Sequence, residues 1–132
     1  MNTRMSVLAR IAWDWGVRCF GLEHMQDWRI RGLCFGEEAI EVMQVLEVSR
    51  EQAHRLVDVV YDRPIGKIEQ EIGGSIVTLA VLCRSLGQAE VEDLFEREVQ
   101  RVLSKTPEHF RIRNKEKIDL LSPALPAPAR PR

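Results

Sequence analysis

The stretch Cys34-Phe35-Gly36-Glu37-Glu38-Ala39-Ile40-Glu41-Val42-Met43-Gln44-Val45-Leu46 decides how this chain is read. Its apolar positions recur at the spacing of one helix face. At ~100° per residue, Glu38 falls in the middle of an arc made by Cys34, Phe35, Val42 and Val45. Glu41 sits at the edge of that arc, about 60° away, because residues three apart share a face. Glu37 falls with Gln44 on the more polar side. A carboxylate in an apolar arc must be paired, protonated or bound to a metal ion, since burying it bare costs several kcal/mol. The stretch therefore predicts a helix, and chemistry on that helix.

Outward from this stretch the pattern stays helical. A first, shorter helix is expected from about Ser6 to Arg18, with Leu8, Ile11, Ala12, Trp15 and Cys19 at spacings of three and four. Gly21 breaks it, and the acidic helix runs from about His24 to Leu46. Ser49-Arg50-Glu51-Gln52 reads as a capping box that opens a third helix to about Tyr61, with Ala53, Leu56, Val57 and Val60 on its apolar face. Asp62-Arg63-Pro64-Ile65-Gly66 is a turn. A fourth helix follows from about Lys67 to Leu86. Its second half, Ile76 to Cys83, is apolar nearly all round, the mark of a central, buried helix. Gly87 stops it. A fifth helix, about Ala89 to Lys105, ends at Thr106-Pro107. His109 to Lys117 is a basic segment carrying Arg111, Arg113, Lys115 and Lys117 with Phe110 and Ile112 interleaved. Four of the chain's six prolines lie after Ser122, which predicts a disordered tail over 122–132. The expected fold is all-α: one domain over 1–121, with a four-helix-bundle core and an extra N-terminal helix. No repeat and no strand alternation is visible.

The chain has 132 residues and a net charge of only -1, so no bulk field draws it to nucleic acid or membrane. Three widely spaced cysteines, Cys19, Cys34 and Cys83, form no Cys-x-x-Cys pair, which argues against a disulfide framework or a zinc site and for reduced thiols. The N-terminal stretch is too polar for a secretory core, and no apolar run approaches the ~20 residues of a membrane span. A cytoplasmic location is expected.

Glu38 and Glu41, one turn apart, suit a hard cation such as Mg²⁺, with Mn²⁺ as the alternative, because such ions take carboxylate oxygens, waters and phosphates. A third acid on another helix is needed to close the cluster. Glu71, in Ile68-Glu69-Gln70-Glu71-Ile72-Gly73-Gly74-Ser75, is the candidate. Gly73 and Gly74 each cost a helix roughly 1 kcal/mol relative to Ala, so something approaches the backbone there, either a packed helix or a ligand. Ser75 and Thr78 continue the Glu71 face and can bond a ligand or their own helix. The competing reading for all three acids is a salt-bridge network with Arg29, Arg31, Arg55 or Arg63.

Glu37-Glu38-Ala39-Ile40-Glu41, followed after an intervening helix by Glu71-Ile72-Gly73-Gly74, resembles the MazG-like branch of the all-α nucleoside triphosphate pyrophosphohydrolases. That family's Glu-x-x-Glu maps onto Glu38 and Glu41, and its Glu-x-x-Asp onto Glu71 and position 74. The similarity covers roughly Trp13 to Lys105. Position 74 is Gly rather than Asp, so one expected ligand is missing; Asp58 and Asp62 are substitutes to consider. The resemblance implies Mg²⁺-dependent hydrolysis of a nucleoside triphosphate to the monophosphate and pyrophosphate, with Glu38, Glu41 and Glu71 as metal ligands. It also implies that one of these acids, or Glu37, orients the attacking water. No Gly-x-x-x-x-Gly-Lys loop is present to cradle phosphates. Arg63, Lys105, Arg111 and Arg113 are the candidates to hold the triphosphate, and Trp13, Trp15, Trp28 and Phe35 to stack on the base. The surplus of apolar helix surface, with the resemblance, predicts a homodimer or a dimer of dimers. The alternative function is a non-catalytic helical module that senses nucleotide or serves as an assembly partner. A nucleic-acid binder using Arg111 to Lys117 fits less well, because Glu108, Glu116 and Asp119 dilute the charge.

Overall fold

A computed structural model describes residues 2–87 and 89–121; the expected tail over 122–132 lies outside them. Seven helices follow one another: α1 (Arg4–Phe20), α2 (Leu22–Met25), α3 (Trp28–Val45), α4 (Arg50–Tyr61), α5 (Ile68–Ser85), α6 (Val91–Leu103) and α7 (Pro107–Leu121). Among the described residues there is no strand. No helix there is long and apolar enough to cross a membrane.

The boundaries have local causes. Thr3 caps α1 by accepting from the Ser6 amide at 3.1 Å. Gly21, at φ +83°, ends it. Asp27 divides the expected His24–Leu46 helix into α2 and α3, because its carboxylate accepts from the amides of Arg29 and Ile30. The end of α3 is a Schellman turn: Val48 N–H donates to Met43 C=O and Glu47 N–H to Gln44 C=O, with Glu47 at φ +63°. The Ser49/Gln52 capping box of α4 is present with both bonds, 3.1 and 2.9 Å. Thr106-Pro107 ends α6 and also begins α7, with Pro at the first helical position, where its missing N–H costs nothing. The basic segment is thus the body of a helix.

The packed centre is built around α1, which lies against α2, α6 and α7. Leu8, Cys19, Met25, Ile30, Cys83 and Val99 are its buried apolar residues. Gly16 lets α2 close in: a Cβ there would collide with Met25 Cε. Arg4 ties the start of α1 to α6 through Asp93 at 2.8 Å and through Glu96. At the other end Arg111 of α7 donates to the carbonyls of Cys19 and Arg18 at 2.7 and 3.0 Å, satisfying the last turn of α1. So the N-terminal helix is the hub of the packing rather than a short addition.

The remaining helices are strung out from this centre. α3 touches α4 and α5 touches α6, but α5 meets neither α3 nor α4. The expected central, buried helix is therefore open within one chain: Ile72 and Ile76 are each 54% exposed and Val77 64%. Only Cys83, beside α6, is buried on α5. An all-round apolar helix is buried only when neighbours surround it, and this chain gives α5 one.

Candidate acidic groove

A groove of about 1510 Å³ runs between α3, α6 and α7. Glu37, Glu38 and Glu41 project from α3 into it, Glu98 and Arg101 from α6, and Arg113 and Lys117 from α7. The helical spacing of α3 places Glu38 and Glu41 side by side, one turn apart. Glu38 and Glu41 are both exposed, so the apolar arc expected around Glu38 is not covered within one chain.

The electrostatics single out Glu38. Burial raises its carboxyl pKa above the ordinary value, and the charges of Glu41, Glu37 and Glu98 add to the rise; Lys117 opposes it. Four carboxylates, three from α3 and one from α6, thus line the groove together with Arg29, Arg31, Arg101, Arg113 and Lys117. Glu98 is partly neutralised, since the Arg101 guanidinium grips it in contacts of 2.5 to 3.1 Å and lowers its pKa. Glu37 is engaged too. Lys117 Nζ lies 2.7 Å from its Oε2 and 3.3 Å from Cys34 Sγ. Burial pulls the Lys117 pKa down, but the bonds to Glu37 and Cys34 outweigh it and the net shift is upward.

The groove also holds donors. Arg31 Nε and Nη2 and Trp15 Nε1 are buried with no hydrogen-bond partner, and the Arg31 guanidinium lies 5.8 Å from the centre of the Phe20 ring. Trp15 stands edge-on to Phe20 and Phe110, at 5.9 and 4.9 Å between ring centres, so it packs as core. Phe35 and Tyr61 also line the groove and are open to solvent, 61% and 85% exposed.

The structure brings Glu37, Glu38 and Glu41 to one groove with Arg113, Trp15 and Phe35, and leaves Glu71, Arg63, Lys105, Arg111 and Trp28 outside it. Glu71 is exposed near the start of α5, its carboxylate leaning back on the turn so that a Cβ on Gly66 would meet its Oε1. Ser75 Oγ donates to the Glu71 carbonyl at 2.9 Å and is spent on its own helix. Among the described residues, no three His, Cys, Asp or Glu side chains gather as a metal-holding group. Arg63, Lys105 and Trp28 are exposed outside the groove, and Arg111 serves the end of α1. Lys115 pairs with Asp119 at 2.7 Å, so the basic segment spends much of its charge internally.

Sequence reasoning missed Glu98, Arg101 and the role of Lys117. The signal for Lys117 was available: Phe110, Asn114, Lys117 and Leu121 repeat at helical spacing and line one wall. Compared with protein-family models, curated proteins and solved structures, the chain matches none.

Proposed function

We propose that the chain is a metal-dependent nucleoside triphosphate pyrophosphohydrolase of the MazG-like kind, working as a homo-oligomer of helical bundles. The observation that carries this reading is the convergence of Glu38, Glu41, Glu37 and Glu98 on one groove, with the Glu38 carboxyl pushed up by burial and by its neighbours. Carboxylates held one helical turn apart, as on Glu38 and Glu41, favour a hard cation. The donor set fits Mg²⁺ or Mn²⁺ at Glu38 and Glu41, with Glu71 as the further ligand. Such an ion, when bound, offsets phosphate charge and makes a bound water more acidic.

The chain's own groups do the rest. Glu37 is committed to Lys117, so it positions the wall rather than acting as base. One of Glu38 and Glu41 is then left to orient the attacking water. Arg101 and Lys117 bring positive charge to the groove for the phosphate chain, and Phe35 and Tyr61 offer faces on which a base can stack.

The test is pyrophosphate release from a panel of standard and modified nucleoside triphosphates with Mg²⁺. Release by the wild type is expected, with Glu38→Gln and Glu41→Gln each reduced at least about 100-fold, as for loss of a metal-site residue. Nucleotide binding without turnover across the panel would instead identify a nucleotide-sensing module.

A further inference from the structure

Three buried donors have no acceptor among the described residues: Nε and Nη2 of Arg31, on α3, and Nε1 of Trp15, on α1. Folded chains leave few such groups, because a buried donor stripped of water and given nothing in return is costly, more so when charged. The two Arg31 atoms are neighbours. Nε–H and Nη2–H point out of the same edge of the planar guanidinium, at the spacing of the two oxygens of a carboxylate. The acids of the same helix are engaged or distant. Asp27 accepts from the Arg29 and Ile30 amides. Glu37 is paired with Lys117. Glu38, seven residues on, lies about 10 Å farther along the helix axis. The Arg31 charge is felt nearby. His24 is held below its ordinary pKa first by burial and then by Arg31; Lys117 adds a little, while Asp27 and the bond to Asn114 oppose.

The surroundings are aromatic and open. The Arg31 guanidinium lies 5.8 Å from the centre of the Phe20 ring, and Trp15 stands edge-on to both Phe20 and Phe110. All four side chains border the groove, and so do Gly32 and Gly36. A Cβ built on either glycine meets nothing within 4 Å. Glycine is a poor helix former, and these two stand one turn apart, so α3 shows bare backbone and open space next to Arg31.

We propose that Arg31 anchors a binding site for a small organic acid, whose carboxylate pairs with the Nε/Nη2 edge and whose apolar body lies against Phe20, Trp15 and Phe110 over the open backbone of Gly32 and Gly36. Trp15 Nε1 supplies a neutral donor beside the same Phe20 ring. A water molecule can accept from such donors but brings no charge to offset the guanidinium. The aromatic wall suits an acid with an apolar body better than inorganic phosphate. The acids of α3 play no part in this site, which stands or falls apart from the pyrophosphohydrolase.

Nuclear magnetic resonance of the ¹⁵N-labelled chain reads both donors directly, as the Arg31 Nε–H and Trp15 Nε1–H signals. Benzoate and phenylacetate are the probes. Benzamide, which keeps the body without the charge, and inorganic phosphate, which keeps charge without the body, are the comparisons. Both signals are expected to shift on benzoate with one shared Kd of about 1 mM or tighter, as for a fragment of that size. Benzamide and phosphate are each expected to bind at least about tenfold more weakly. Arg31→Lys keeps the charge and loses the fork, so a loss of at least about tenfold in benzoate affinity is expected at unchanged helix content. Arg55→Gln, on α4 outside the groove, is expected to bind as the wild type does. His24, relieved of part of the Arg31 field, is expected to titrate at higher pH in saturating benzoate. The proposal is overturned by a wild type that shows no saturation by about 10 mM benzoate, or by an equal response to benzamide or to phosphate. It is overturned equally by undiminished binding to Arg31→Lys, or by a His24 titration that benzoate leaves unmoved. Should Arg31→Lys fail to fold, the comparison of ligands on the wild type still decides.

Discussion

At the scale of single residues, Glu38 is the group whose protonation the fold feels most directly. Its carboxyl binds a proton more tightly in the folded chain than in the unfolded one, first because the groove wall partly desolvates it and then because of the charges of Glu41, Glu37 and Glu98. Such a group imposes no penalty below the ordinary carboxylate range. The penalty grows as pH rises through the raised folded value and is fully present above it. Glu38→Gln is therefore expected to raise the melting temperature of the metal-free protein at pH ~7 and leave it unchanged at pH ~3. A thermal melt series against pH checks this. Adding Mg²⁺ is expected to reverse the order at neutral pH, since a ligand that binds only the folded state stabilises the wild type and not the variant. The shared face of Glu38 and Glu41 was legible in the sequence because helical period alone sets it, although both are exposed rather than enclosed by the apolar arc. Glu98 and Lys117 were not legible. Glu98 sits in a run of charges that reads as a solvated face, and its place in the groove depends on how α6 packs against α1.

At the scale of elements, the helices were readable wherever side chains close their own ends. The Ser49/Gln52 capping box needs only four residues to specify it, and it forms as the sequence implies. The boundary at Asp27 was missed because an Asp before Trp28 looks like a helix interior until its carboxylate is seen to take two backbone amides. α7 was read by its charge instead of its period. The Schellman turn after α3 yields a separate expectation. Glu47 holds φ +63°, a conformation that costs a side-chain-bearing residue about 1–2 kcal/mol and glycine little. Glu47→Gly relieves that strain but loosens the unfolded chain, so a net gain of roughly 0.5–1 kcal/mol is expected in urea unfolding. The same substitution within α4, at Glu51 for example, is expected to destabilise instead.

At the scale of the whole molecule, the sequence announced an all-helical chain with more apolar surface than it covers. The arrangement of α3, α4 and α5 was not legible, because periodicity shows that a face is apolar and not which neighbour covers it. Here the packed centre of α1, α2, α6 and α7 is complete within one chain, while α4 and α5 keep their apolar faces in water. The consequence is kinetic. The centre can form by itself in a step whose rate does not depend on concentration. In the homo-oligomer proposed above, covering this α4–α5 arm requires an encounter, so the last phase of refolding is expected to be second order, its observed rate rising with protein concentration in stopped-flow experiments. Dilution then does more than weaken the protein: it lengthens the interval during which a newly made chain carries a bare apolar arm that anything else in solution can meet first.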